Sequence, residues 1–63
     1  MEEKKKFRVV VEYATGEIGF YDYWYEDNAT AAFEDFHPLI ERRSCLMVMN
    51  DEGLYEIILE VFY

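Results

Sequence analysis

The sequence has little of what enzymes and secreted mini-proteins require. It contains a single cysteine, Cys45, and a single histidine, His37, in 63 residues. One cysteine cannot form an intramolecular disulfide, which excludes a disulfide-stapled scaffold and favours a reducing, cytoplasmic setting. These two residues are also too few for a closed zinc site, and there is no Gly-rich phosphate loop or nucleophile motif. We therefore expect a non-enzymatic protein without a catalytic site, a metal or another cofactor.

Each of these two residues has a functional interpretation beside a structural one. His37 is the only side chain expected to titrate near neutral pH by default, but a general base needs an orienting partner, and a surface histidine beside Pro38 is the simpler interpretation. Cys45 follows two arginines, which can lower a thiol pKa. Alternation groups it with Met47 and Met49 in a semi-buried row, so we expect an inert thiol.

Positive charge is scarce and confined to two places, Lys4, Lys5, Lys6 and Arg8 at the start, and Arg42 and Arg43 together. Residues 9–41 contain eight acids and no Lys or Arg, and the net charge of the chain is −8. Such a surface repels nucleic acid and anionic lipid and attracts basic protein surfaces. We expect a protein partner with a basic surface, for example a nucleic-acid-binding enzyme, and neither direct nucleic-acid binding nor membrane contact. Oligonucleotide binding through the basic residues is the minor alternative.

Apolar residues are plentiful, at 52% of the chain with 19% aromatic, so the chain folds despite its charge. Its length allows one core, and we expect a single domain over residues 1–63 with residues 1–6 as a flexible lead-in. The apolar run after the lysines is short and broken by Glu12, which fits neither a signal peptide nor a membrane span. A domain this small cannot bury all its aromatic side chains, and exposed aromatic surface is typical of an interface.

The hydrophobic pattern predicts the order ββαββ. Residues 7–13 alternate as a half-buried strand, the segment ATGE predicts a hairpin turn, and residues 18–26 return as a second strand whose two faces are both aromatic. Asp27 or Asn28 is the expected N-cap of a helix with an apolar stripe from Ala29 to Ile40. Because of Pro38 we expect a kink near His37 or a break into two short helical pieces. Arg42 and Arg43 are expected at the end of this helix.

Residues 44–50 and 54–63 predict the third and fourth strands, joined by the turn NDEG. The economical assembly is α+β, one four-stranded antiparallel sheet with the single Pro38-kinked helix packed on one face. Alternation in the last strand places Glu56 and Glu60 on one face, where Glu12 or Asp22 can join them in a row of acids.

The segment YDYWYED interleaves aromatics with carboxylates and is the strongest unusual feature. Its charge has the wrong sign for base stacking, whereas Tyr and Trp are favoured at protein interfaces and acids steer a basic partner. An aromatic core with solubilising acids is the alternative. The expected partner-binding residues are Asp22, Glu26, Asp27, Glu34, Asp35, Glu56, Glu60, Tyr21, Tyr23, Trp24 and Tyr25.

In size, charge and compactness the chain resembles the small acidic inhibitors that phages encode, including anti-CRISPR proteins and uracil-DNA glycosylase inhibitors. No family motif accompanies this resemblance, so it assigns no residue. It implies an inhibitor or DNA mimic that occupies a basic site on a partner. The alternative hypothesis is a self-assembling module. The last strand, LYEIILEVFY, lacks Pro and Gly, so we expect a homodimer that forms through this edge strand or through the sheet face opposite the helix.

Overall fold

The structure is a computed structural model that describes residues 5–35 and 39–62. It confirms the α+β class and the order ββαββ, with β1 at Phe7–Tyr13, β2 at Ile18–Tyr23, α1 at Glu26–Glu34, β3 at Glu41–Met49 and β4 at Tyr55–Phe62. The strands form one antiparallel sheet in the order β2-β1-β3-β4. β1 and β3 are therefore central, and β2 and β4 are edge strands.

Both hairpins close through a glycine with positive φ. Gly16 in the first turn has a φ of 94°, and Gly53 in the second has a φ of 82°. The side-chain oxygen of Asn50 accepts hydrogen bonds from the amides of Glu52 and Leu54, at 2.9 and 3.0 Å. Glycine suits these positions because it alone adopts positive φ without a steric penalty, and an Asn side chain that bonds nearby amides stabilises a tight turn.

The core lies between α1 and the sheet face that we call the helix side. Alternation along β1 turns every second side chain toward the helix: Phe7, Val9 and Val11 are buried there, and Tyr13 is partly buried. α1 packs over β1, β2 and β3 and leaves β4 at the margin. The core consists of Phe7, Val9, Val11, Ala29, Phe33 and Leu46.

The opposite sheet face, which we call the open face, carries no second layer formed by residues 5–35 or 39–62. Strand pairing and alternation place on it side chains from all four strands. They are Ile18, Phe20 and Asp22 of β2, Arg8, Val10 and Glu12 of β1, Arg43, Cys45, Met47 and Met49 of β3, and Tyr55, Ile57, Glu60 and Phe62 of β4.

A β-bulge in β4 overturns one expectation. Leu46 pairs with Leu59 whereas Met47 pairs with Ile57, so Ile58 is an extra residue in β4. An extra residue reverses the alternation of the strand, because side chains change face at every step. The prediction that Glu56 and Glu60 share a face was therefore wrong: Glu60 lies on the open face and Glu56 on the helix side.

The helix is shorter than the apolar stripe predicts. It ends at Glu34, and Ile40 lies in the connection to β3, where its carbonyl accepts a 2.7 Å hydrogen bond from the amide of Ala14. The N-cap is Tyr25, which makes no side-chain capping bond, so the expected cap at Asp27 or Asn28 was wrong. The predicted kink or break near His37 lies outside the described residues.

Two other boundaries each differ by three residues from the sequence prediction. β3 begins at Glu41, so Arg42 and Arg43 belong to a strand and not to the end of the helix. Strand pairing explains this difference, because Arg43 lies between Glu12 of β1 and Phe62 of β4. β2 ends at Tyr23 rather than residue 26.

The expected lead-in over residues 1–6 is only partly described, because residues 1–4 lie outside the described ranges. The carbonyl of Lys6 accepts a 2.8 Å hydrogen bond from the amide of Met49. The hydroxyl of Tyr55 donates a 2.7 Å hydrogen bond to the carbonyl of Lys5. These bonds join the chain before β1 to β3 and β4.

The assignment of the two sheet faces is tested by two adjacent valines. Val9 is 1% exposed beneath the helix, whereas Val10 is half-buried on the open face. We expect Val9→Ala to lower the free energy of unfolding by about 2 kcal/mol, from lost burial and a residual cavity. Val10→Ala, the matched control, is expected to cost less than half as much. Urea unfolding measures both, and equal losses would contradict the face assignment.

Candidate functional site

The charged side chains of α1 and of its C-cap are all acidic. Glu26 and Asp27 occupy the first turn of α1, Glu34 is its last residue and Asp35 is its C-cap. All four side chains are exposed, and the last turn contains no base. The part of the chain that the structure describes provides none of these four carboxylates with an ion-pair partner. They are therefore available to a basic partner.

Aromatic side chains flank these acids. Trp24 and Tyr25, in the connection between β2 and α1, are 47% and 71% exposed. Tyr21 and Tyr23 lie on the helix side of β2, where Tyr23 packs against the core and Tyr21 is 44% exposed. The four aromatics of the YDYWYED segment thus lie on the same side of the sheet as the helix acids or in the connection that leads to them.

A cleft of about 240 Å³ lies between the helix and the sheet. Its lining consists of Val9, Val11, Tyr13, Tyr21, Tyr23, Ala32, Asp35 and Glu41. The hydroxyl groups of Tyr13 and Tyr21 are hydrogen-bonded at 2.8 Å. This bond, together with partial burial, raises the pKa of Tyr13, so its phenol stays neutral at physiological pH.

Gly19 provides the room in which the two phenols meet. It lies on the helix side of β2, and a Cβ atom built there would be 3.0 Å from Cε2 of Tyr21 and 3.3 Å from Cε2 of Tyr13. Such distances are shorter than ordinary carbon–carbon contacts of about 3.5–4.0 Å. A larger residue at this position would displace at least one tyrosine ring.

The chemistry of the cleft suits a cation. Three tyrosines and the carboxylates of Asp35 and Glu41 line it, and neither Lys nor Arg is among the described lining residues. Aromatic faces attract ammonium and guanidinium groups, and carboxylates accept their hydrogen bonds. The described residues show no cluster of His, Cys, Asp and Glu that would hold a metal ion. The cleft is therefore a candidate site for a basic side chain.

The acids of the open face differ, because two of them are paired. Nε and Nη2 of Arg8 donate to the two carboxylate oxygens of Asp22, at 2.7 and 3.1 Å. The hydrogen bond to Arg8 holds the pKa of Asp22 below its ordinary value. The guanidinium carbon of Arg8 also lies 4.1 Å from the ring centroid of Tyr55. Arg8 thus already neutralises Asp22, one of the predicted partner-binding acids.

Glu60 is engaged in the same way. Nε of Arg43 donates to Oε2 of Glu60 at 2.7 Å, and the thiol of Cys45 donates to the same oxygen at 3.2 Å. Both hydrogen bonds lower the pKa of Glu60, and the bond from Arg43 has the larger effect. Burial and the nearby carboxylate raise the pKa of the Cys45 thiol, which argues against a reactive thiolate.

The predicted partner-binding residues thus divide into three groups. Glu26, Asp27, Glu34, Asp35, Tyr21, Tyr23, Trp24 and Tyr25 lie on the helix side or at the approach to α1. Asp22 and Glu60 lie on the open face in ion pairs. Glu56 lies beside the second turn, where Asn50 donates a 3.0 Å hydrogen bond to its carboxylate. The sheet therefore presents no continuous row of unpaired acids.

Sequence reasoning missed Tyr13 and Glu41 as cleft residues. For Tyr13 a signal was present, because alternation placed it on the same face as Val9 and Val11. Glu41 carried no such signal, because its position depends on β3 beginning earlier than its apolar run.

The chain matches no family model, and it has no significant match among curated proteins or solved structures. In the described ranges, no helix combines the length and the apolarity needed to cross a lipid bilayer. The case for a function therefore depends on the geometry of the helix side and of the open face.

The Arg8–Asp22 pair predicts a specific acid sensitivity. Because the folded pKa of Asp22 lies below its ordinary 3.8, the pair stabilises the fold above that value, and this contribution is lost as the pH falls through the folded pKa. Between about pH 5 and pH 2 the wild type is expected to lose up to about 1 kcal/mol more stability than Asp22→Asn, an upper bound because the pair is part-exposed. Urea unfolding at each pH measures this. Asp51→Asn, the same change in the second turn, should behave as wild type; identical profiles for all three proteins would contradict the prediction.

Proposed function

We propose that this chain is a non-enzymatic binding protein whose acidic helix side occupies a basic surface on a partner protein, such as the nucleic-acid-binding site of an enzyme. This is the mode of action of a phage-type inhibitor or DNA mimic, anti-CRISPR-like in general character. The observation that carries the proposal is the cleft, to which the described residues contribute three tyrosines and two carboxylates but neither Lys nor Arg. An Arg or Lys side chain of the partner is the occupant that we assign to it.

The size of the cleft fits one side chain. At about 240 Å³ it lies below the roughly 300–1,000 Å³ of typical small-molecule pockets. A guanidinium or ammonium over a tyrosine face gains about 0.5–2 kcal/mol, depending on its desolvation. Asp35 and Glu41 supply the opposite charge. One anchored basic side chain then fixes the orientation of the partner, as buried anchors do at protein interfaces.

The surrounding charge determines how the partner approaches. Glu26, Asp27 and Glu34 are exposed on α1, and the whole chain has a net charge of −8. Such a field accelerates association with a basic surface and weakens as salt is added. Exposed Trp24 and Tyr25 add contact area beside these acids.

The proposal includes a cytoplasmic location and no catalysis. A single cysteine suits a reducing compartment, and the raised pKa of the buried Cys45 argues against a nucleophilic role. Direct nucleic-acid binding is opposed by the exposed helix acids and by the net charge of −8. A labelled oligonucleotide should therefore not bind at low salt.

A charge-matched pair of variants tests the cleft. The probe is a dye-labelled peptide of glycine, serine and four arginines, followed by fluorescence anisotropy from about 20 to 300 mM salt. We expect the wild type to bind at low salt, and Asp35→Asn with Glu41→Gln to weaken binding at least about fivefold. Asp51→Asn with Glu52→Gln, in the second turn, changes the net charge equally and should alter binding less than about twofold.

These measurements distinguish a specific binding site in the cleft from a diffuse effect of the net charge. Equal weakening by the two double variants would show that the charge acts diffusely and would overturn the cleft as an anchor. No binding of the peptide by the wild type at low salt would overturn the proposed function. Tyr21→Phe keeps the aromatic face and should retain binding, whereas Tyr21→Leu removes it and should not; circular dichroism confirms that both variants remain folded.

A further inference from the structure

We infer that the open face is a self-association surface that packs against the open face of a second copy of this chain. The inference does not rest on the proposed function, because that function uses the helix side and this contact uses the opposite face of the sheet. Three observations carry it: the apolar surface of the open face, its charge balance and its area.

Large apolar side chains are exposed across the full width of the open face. Ile18 and Phe20 on β2 are 56% and 60% exposed, and Ile57 and Phe62 on β4 are 51% and 71% exposed. Between them lie Val10 and Met47 of the central strands, which are only half-buried. Apolar side chains that form one contiguous surface, rather than scattered positions, are typical of interaction sites.

The charge balance of the open face favours a second copy of this chain as its partner. The charged residues of the open face are Arg8, Glu12, Asp22, Arg43 and Glu60, which together carry −1 of the chain's −8. Both arginines are paired with acids on the same face. A basic partner finds little attraction here. The rest of the chain carries the other −7, so contacts that bring those parts of two copies together are opposed by net repulsion. A second open face is apolar and nearly neutral, so it fits.

The area is sufficient for a weak dimer. Strands lie roughly 4.8 Å apart and residues advance roughly 3.3 Å, so four strands of about eight residues form a face of roughly 500 Å². Two such faces packed together bury roughly 1,000 Å², the lower limit for a specific interface. We therefore expect a dissociation constant on the order of micromolar.

A dimer of this form also keeps like charges apart. Two sheets that pack face to face are separated by about 10 Å, and their helices then lie on the outer sides. The acids of α1 in one copy are thus directed away from those of the other. The clefts of both copies remain exposed to solvent.

The edge of β4 is the competing contact. No strand of the described ranges pairs with the outer edge of β4, and β4 contains no Pro or Gly, which favours strand pairing. The two arrangements depend on different side chains. Face packing buries Phe20, on the far edge strand, whereas pairing along β4 leaves it exposed. Leu59 lies on β4 but on the helix side, so only the edge arrangement involves it.

Sedimentation velocity of the full chain from about 5 to 500 μM tests the inference. We expect a monomer–dimer equilibrium that tightens severalfold between about 20 and 500 mM salt, because screening reduces the repulsion between two −8 chains. Phe20→Thr and Ile57→Thr should each weaken the dimer at least about fivefold. Leu59→Thr is the matched control, since Leu59 and Ile57 share a strand and are 49% and 51% exposed.

A wild type that stays monomeric over this range would overturn the inference. Weakening by Leu59→Thr without weakening by Phe20→Thr would assign the contact to the β4 edge and overturn the open face. Far-UV circular dichroism should show all three variants folded, because the replaced side chains are about half exposed. Binding of the arginine peptide to Phe20→Thr at low salt separates the two proposals: it should match the wild type even where the dimer is lost.

Discussion

An α-helix with its side chains is about 10–12 Å wide, whereas four strands roughly 4.8 Å apart form a wider sheet. α1 therefore covers one sheet face, and it lies mainly over β1, β2 and β3. This limit decides which apolar residues are buried, since Val9 and Leu46 lie beneath the helix while Phe20 and Ile57 do not. It also brings the acids of the helix layer to one side of the molecule and leaves an apolar surface on the other.

The two ion pairs make the uncovered face compatible with burial in an interface. Each joins a central strand to its neighbouring edge strand, Arg8 of β1 to Asp22 of β2 and Arg43 of β3 to Glu60 of β4. Part-exposed ion pairs contribute little to stability. Their consequence here is that four of the five charged residues of the open face are neutralised in pairs, and Glu12 carries the remaining −1. A charge that enters an apolar interface without a partner is costly, and these four charges keep their partners.

Local sequence patterns predict much of this fold and less of its sites. The alternation of Phe7–Tyr13 and the two glycine turns depend only on neighbouring residues, and the structure confirms the predicted strand and both turns. The bulge at Ile58 and the early start of β3 depend on pairing between distant strands, which periodicity does not contain. The cleft illustrates the same limit. Tyr21, Tyr23 and Asp35 were candidates for their type, but Glu41 joins them only because β3 begins at that residue.

The two proposed contacts respond to salt in opposite directions. Binding of a basic partner weakens as charges are screened, whereas self-association of an acidic chain strengthens. Because the contacts use opposite faces of the sheet, one does not block the other, and a dimer presents two clefts on its outer sides. A partner with two basic surfaces within reach would then bind the dimer more tightly than the monomer, since the second contact is intramolecular. At low concentration the chain would be a monovalent ligand, and its affinity for such a partner would rise with its own concentration.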